Sequence, residues 1–533
     1  MRNALRSIKR RVGGVIKRDQ LDPATQRYVG FCRRQWPQEG RSAERGTVLI
    51  SFFGWRALVH VFAFAANHLA QRTGGVVETF SFSGDPSPQQ KKVYEAFGAR
   101  LALTMKDTQP FEARAEAEAA EIFAGLKDKW ELVRLTIEGV LVGDLIYDTY
   151  LRHVPAATVD LRDERLLGFL REALLIFYAS REYLERRRPM AVFVDHIVYT
   201  HVGMMPRLAM AMSIPVFMAN FAPELYVHRV DIAAKRENIP HPIRHPFWVY
   251  PEWFAALPPE TQDAARARGK QTIEERLSGK INNRILPGQS AYAAVSDTRI
   301  MADNGRPRIL VLLHDFCDAA HGYRYLLFPD FYEWITFLLT EAEKTPFDWY
   351  VKPHPNNADR SRGAMNAANH EVVLDLQKKF PRATFISPKV SNRQLVAEGL
   401  AAMFTIHGTA GHEFPYLGVP VVNAGDNPHV GYTFNNHPKS LDEYRELIAR
   451  ADRVPANIKH SDIEELAYMY YFFHYDRFGS RVALCDPAIA NSPAAGQAEF
   501  YDHLIERTTP EHTATLEKYF DEAFRDILSS RQS

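Results

Sequence analysis

The stretch AAMFTIHGTAGHEFPYLGVPVVN, Ala401 to Asn423, decides the reading of this chain. Met403 to Ile406 is a short apolar run, and His407-Gly408-Thr409-Ala410-Gly411 is a turn of small residues. Glu413 to Leu417 opens a helix, and Val419 to Val422 is a second apolar run. The order is strand, turn, helix, strand. A glycine-containing turn that feeds a helix leaves amide N–H groups unpaired at the positive end of the helix dipole, so it suits an anion. The Thr409 hydroxyl adds a donor there, and Glu413 is placed to accept from sugar hydroxyls. Phosphate on the turn and ribose on the carboxylate would fit a nucleotide sugar. An ordinary βα turn with a structural glycine fits the same letters.

The whole chain sets the frame. Its 533 residues imply two to four domains of roughly 100–200 residues each. The 46% apolar content is that of a globular protein with sizeable cores. Lys and Arg number 65 against 64 Asp and Glu, a balance without the basic bias of a nucleic-acid binder. Cys32, Cys317 and Cys485 have neither disulfide nor metal spacing and suit a reducing compartment. The sequence offers no apolar run of about 18 residues and no secretory signal, so a cytoplasmic location is expected. Met1 to Arg18 carries seven Lys and Arg and no acid, with Leu5, Ile8, Val12 and Val15 near one helical face. It reads either as a peripheral contact for an anionic membrane or as a frayed tail.

Strands alternate with helices along most of the chain, the signature of βαβ units and parallel sheets. Thr47 to Phe53 and Val76 to Phe82 are strands, and Pro86 to Leu103 is a helix-bearing connection. Leu166 to Arg187 is a long helix, followed by the strand Met190 to Val194 with Asp195 and His196 at its tip. Ligands of open α/β sheets gather at such tips, so this acid and imidazole are candidates for chemistry. An N-cap role for Asp195 is the plainer possibility. Asp144 and Asp148 interleave with apolar residues in VGDLIYDTYLR, Val142 to Arg152. Burial would demand partners for both, either a substrate or a structural network. Glu224 to Val230 reads as loop and Thr261 to Leu277 as a solvent-facing helix. Turn chemistry at Asp303 to Pro307 marks a boundary. A second series begins with the strand Arg308 to Leu313, tipped by His314 and Asp315. Asp348 to Lys352 is a strand that stops at Lys352-Pro353-His354-Pro355-Asn356, where Lys352 and His354 project toward a possible phosphate. The expected divisions are 1–45, a basic segment; 46–303 and 304–490, two Rossmann-like domains; and 491–533, terminal helices.

KPHP at Lys352 to Pro355, HGTAGHEFPYLGVPVV at His407 to Val422, and the Val142 to Arg152 block together resemble bacterial capsule and surface-polysaccharide glycosyltransferases. The likeness is greatest to the Kdo transferases of capsule and O-antigen (lipopolysaccharide) assembly. The HP pair recurs in sialyltransferases and in teichoic-acid polymerases, so it marks a clan and not one donor. The resemblance implies a GT-B fold: α/β, two Rossmann-like domains facing across a cleft, with C-terminal helices crossing back. It implies a CMP-activated 2-keto sugar as donor substrate, no cofactor, and a glycan or lipid-linked glycan acceptor. His354 would meet the donor phosphate, Gly408 and Thr409 would cradle it, and Glu413 would hold the ribose. With Lys352, Pro355, Asn356, His407 and Gly411 these form the expected donor-facing set. Asp195 is the match for an N-domain nucleophile, with His196 beside it. Asp144, Asp148, His314 and Asp315 are possible substrate contacts. No metal is expected: Asp315 and Asp318 flank Cys317 in a loop and form no DxD dyad at a strand end. Three other functions share parts of this pattern. They are a CDP-polyol phosphotransferase of teichoic-acid type, a UDP-sugar epimerase, and a non-catalytic scaffold.

Overall fold

The computed structural model describes residues 20–221, 224–234, 240–243, 247–279, 291–292, 298–323, 326–355, 364–473, 478–490 and 492–530. The basic stretch Met1 to Arg18 lies outside them.

The strands of the first domain are β1 (Thr47–Ser51), β2 (Val76–Ser81) and β3 (Ala99–Thr104), a small hairpin β4 (Thr136–Ile137) and β5 (Val140–Leu141), then β6 (Ala191–Val194), β7 (Val216–Phe221) and β8 (Leu225–Arg229). A second hairpin, β9 (Asp231–Ala234) and β10 (Pro240–Ile243), follows. The main sheet runs β3-β2-β1-β6-β7-β8. Only its edge strand β8 is antiparallel. Every residue of β1 and β6 is buried, as expected for central strands covered by helices on both faces. Glu78 in β2 is fully buried, and Arg100, Arg187 and the Tyr183 hydroxyl all bond to its carboxylate at 2.6–2.7 Å.

The second domain holds β11 (Arg308–Leu312), β12 (Asp348–Lys352), β13 (Thr384–Phe385), β14 (Ala402–Thr405) and β15 (Val421–Asn423). They form an all-parallel sheet in the order β13-β12-β11-β14-β15. Each sheet therefore reverses its winding once, between β1 and β6 in the first and between β11 and β14 in the second. Such switch points open a crevice at the C-terminal strand ends.

The chain returns to the first domain near its end. Gly479 forms an antiparallel bridge with Tyr226 at the β8 edge, and the Leu225 amide donates to the Val482 carbonyl at 2.9 Å. The helices Phe500–Arg507 and Pro510–Ala523 then pack into the first core beside the helix Arg56–Thr73. This is a GT-B architecture. Its divisions differ from the sequence expectation in three ways. The return begins by Gly479, ahead of 491. The helix Pro23–Gln35 is built into the first core, where Tyr28 stacks on Tyr501 at 4.1 Å, so the first division is not merely a basic segment. Phe247 to Leu277 packs on the second domain, in a cluster with Phe434, Ile463 and Leu466.

Three elements also differ. Pro86 to Leu103 contains most of the strand β3 as well as the helix Pro88–Ala96. Glu224 to Val230 holds the edge strand β8, Leu225–Arg229. The helix Pro259–Leu277, expected to face solvent, lies against the helix His460–Tyr468 so closely that a Cβ on Gly269 would sit 2.0 Å from the Glu464 carbonyl oxygen. Gly269→Ala must push the two helices apart. It should lower stability by about 1–3 kcal/mol in urea unfolding; an unchanged midpoint would contradict this packing.

Candidate functional site

The second sheet's switch point carries a cavity of about 260 Å³. Leu312 to His314 enter it from the end of β11, Lys352 to Pro355 from the end of β12, and Thr405 with Gly408 to Ala410 from the end of β14. Arg276, Ala291, Pro388, Asn392 and Glu413 complete the wall. The parallel strands all end here, which is why loops distant in sequence converge.

Lys352 is the last residue of β12 and is 5% exposed. Its Nζ donates to the Val390 carbonyl at 2.7 Å and to Asn392 Oδ1 at 2.6 Å. Its ammonium is thus moored to the wall, with one N–H left over, instead of projecting freely as the sequence suggested. Pro353 and His354 continue the same loop, and the His354 ring lies 6.0 Å from that of His314 in a stacked pair. Thr409 is the N-cap of the helix Ala410–Tyr416, and its hydroxyl makes no capping bond.

Glu413 is buried, at 2% exposure. Arg276 Nε donates to one carboxylate oxygen at 2.9 Å, and the Tyr292 hydroxyl donates to the other at 2.6 Å. Burial works to raise this carboxyl, but the Arg276 charge and the Tyr292 bond outweigh it and hold the group below its ordinary value. Glu413 is therefore ionised and oriented on the cavity wall, with the remaining lone pairs of its two oxygens to offer.

Two residues of the expected donor-facing set are absent from the wall. His407 is buried behind it, between Tyr323 and Phe331, with Nε2 3.1 Å from the Ala320 carbonyl; burial pushes it down to about 3 and keeps it neutral. Gly411 faces inward, where a Cβ would lie 2.1 Å from His429 Cε1. Its missing side chain serves close packing, not ligand approach. Asn356 lies outside the described residues.

Of the possible substrate contacts, only His314 lines the cavity. Asp144 is buried in an ion pair with Arg207, and His241 Nε2 lies 3.0 Å from its second oxygen. Asp148 accepts from the His321 amide and lies 2.7 Å from its Nδ1. Asp315 accepts from the Cys317 amide and from Asn369 Nδ2, which closes a turn. Each of these three carboxylates already has protein partners. Among the described residues no group of three or more His, Cys, Asp or Glu is arranged to hold a metal. No described helix is long and apolar enough to cross a membrane.

The first sheet's switch point lies between the ends of β1 and β6. Asp195 and His196 follow β6 as the sequence indicated, with Asp195 Oδ2 2.7 Å from His196 Nδ1. Asp195 Oδ1 is buried and has no hydrogen-bond partner. Asp195 does not cap the next helix, whose N-cap is Tyr199. Phe53, beyond β1, sets its ring edge-on to His196 at 5.9 Å. The loop after His314 reaches this end of the first domain: a Cβ on Gly322 would touch Val198 at 3.3 Å. Sequence reading missed Arg276, Tyr292 and Asn392. Only the last carried a signal, as the first residue of a helix beginning near the cavity.

No family model matches this chain, and no curated protein does. Among solved structures it is similar to the beta Kdo 2,4 transferase KpsC of Thermosulfurimonas dismutans, at 15% identity over 52% of this chain and 79% of that one, with a TM-score of 0.34. It is also similar to the UDP-GlcNAc 2-epimerase of Neisseria meningitidis bound to UDP-GlcNAc, at 12% identity over 86% and 99% of the two chains, with a TM-score of 0.19. The Methanocaldococcus jannaschii UDP-GlcNAc 2-epimerase in complex with UDP-GlcNAc and UDP matches at 9% identity over 80% and 99%, with a TM-score of 0.27. These likenesses are remote.

Burial pushes Lys352 down from its ordinary 10.5 to about 8, against the pull of the Glu413 charge. Between those values the unfolded chain holds a proton that the folded chain has released, so folded stability gains as pH rises through that window. Unfolding free energies measured from pH 8 to 10 should rise more steeply for the wild type than for Lys352→Met. Parallel curves would contradict a desolvated ammonium.

Proposed function

We propose that this chain is a glycosyltransferase that moves a 2-keto sugar such as Kdo from a CMP donor to an acceptor of a bacterial surface glycan. The observation that supports it most is the convergence of the Lys352–Pro355 loop, the Gly408–Ala410 turn and Glu413 on one cavity at a switch point. Among the described wall residues Arg276 and Glu413 cancel, which leaves Lys352 as the net cation. One positive charge complements the single phosphodiester of a CMP-sugar and leaves a pyrophosphate under-compensated.

In this reading His354 and the Thr409 hydroxyl donate to the phosphate, Lys352 supplies the field, and Glu413 accepts from the ribose. The transition state has oxocarbenium character, and charge builds on the departing phosphate, where fixed donors act most strongly. Asp195 Oδ1 attacks the anomeric carbon as the bond to the phosphate oxygen breaks. CMP leaves with the bonding pair, and a glycosyl ester of Asp195 remains. With Nδ1–H held by Asp195, the other nitrogen of His196 carries the lone pair that takes the acceptor hydroxyl proton. The acceptor oxygen then displaces Asp195 at the same carbon, and two inversions retain configuration.

Intact-mass spectrometry after exposure to CMP-Kdo should find one Kdo attached to the wild type and none to Asp195→Asn. CMP should still raise the melting temperature of Asp195→Asn. His354→Ala should lose that rise and slow CMP release by on the order of 10²- to 10³-fold. An adduct that persists in Asp195→Asn would remove the nucleophile. Consumption of CDP-glycerol or of UDP-GlcNAc in place of CMP-Kdo would move the chain to the phosphotransferase or epimerase class.

A further inference from the structure

Beside the Asp195–His196 pair stands a group of side chains that the scheme above does not use. Tyr199 has φ 61° and ψ 149°, a backbone region that is essentially glycine's and costs other residues roughly 1–3 kcal/mol. The surroundings enforce it: the Tyr199 carbonyl accepts from the Gly203 amide at 2.7 Å, and the Thr200 amide donates to Thr149 Oγ1 at 2.8 Å. The result is a half-buried ring near the interdomain boundary, edge-on to His196 at 6.3 Å and parallel to His201 at 6.1 Å. The exposed Arg152 guanidinium lies 5.9 Å from the Tyr199 ring centre. Arg152 has no ion-pair or hydrogen-bond partner among the described residues. Asp318 and Asp315, in the loop of the facing domain that follows His314, act on it only through space.

An arginine over an aromatic face, with its fork of donors unspent, matches a planar carboxylate or a phosphate. Two parallel half-buried rings match the flat apolar face of a sugar ring. We propose that Arg152, Tyr199 and His201 form an acceptor subsite for an acidic glycan, the rings under a pyranose and Arg152 on its carboxylate or phosphate group. The inference rests on the transferase reading, because it places the acceptor next to Asp195 and His196. The strained tyrosine is then a binding device. Glycine at 199 would relieve the backbone and lose the platform.

The test is an array of carboxylated, phosphorylated and neutral bacterial surface oligosaccharides, probed with the full chain, with CMP-induced thermal stabilisation as an independent readout of the donor cavity. Wild type should bind acidic glycans only, and Arg152→Ala should bind them at least 10-fold more weakly. Tyr199→Gly, whose backbone suits that conformation, should keep the fold by circular dichroism and lose the same signal. Both variants should respond to CMP as wild type does. Binding confined to neutral glycans, no glycan binding, or an Arg152→Ala signal equal to wild type would each overturn the subsite. Stabilisation by CMP without glycan binding sinks the subsite alone, and glycan binding without any response to CMP sinks the donor reading alone.

Discussion

A carboxylate buried between two domains fixes this molecule's working geometry. Asp148 leaves the helix Gly143–His153 of the first domain and meets His321 of the second, with both side chains 2% exposed. Beside it the Tyr147 hydroxyl and Thr158 donate to Asp330, the N-cap of the helix Phe331–Ala342, and Lys129 pairs with Glu333. Removing one partner of such a pair strands the other without water, at about 3–5 kcal/mol. The contact therefore sets how the two strand-end faces lie relative to each other. His321 belongs to the loop that starts at His314 on the cavity wall, so the same segment that joins the domains also shapes the cavity.

In the proposed reading the two faces divide the labour. The second domain supplies a cavity whose charged groups are held in advance: Lys352 by Val390 and Asn392, Glu413 by Arg276 and Tyr292. Preorganised donors and acceptors need no rearrangement when charge develops, and this is where electrostatic catalysis gains most. The first domain supplies a carboxylate with one oxygen unspent, an imidazole bonded to the other oxygen, and an aromatic lip carrying an uncommitted arginine. Neither face is complete alone.

Much of the fold could be read from the letters. RILVLL and DWYVK are apolar runs with polar tips, the mark of buried parallel strands whose ends carry function. Asp195 and His196 sat at such a tip and are there. The readings that failed did so because their causes lie far away in sequence. Glu413 owes its orientation to Arg276 and Tyr292, more than a hundred residues upstream. Asp144 and Asp148 share one helical face by their spacing. Yet one turns to Arg207 and His241 within its own domain, and the other crosses to His321. In HGTAG nothing local separates the residues that line the cavity, Gly408 and Thr409, from those that face His429 or Phe331. β8 was hidden by its charged end, and Tyr199's strain is a tertiary effect that no local propensity reveals.

The most direct measurement of the central claim is a crystal structure of the protein soaked with CMP. The account predicts density for the phosphate between His354 and the Gly408–Thr409 turn, with the ribose hydroxyls on Glu413. Density for CMP in the first domain, or none in this cavity at saturating nucleotide, would contradict it.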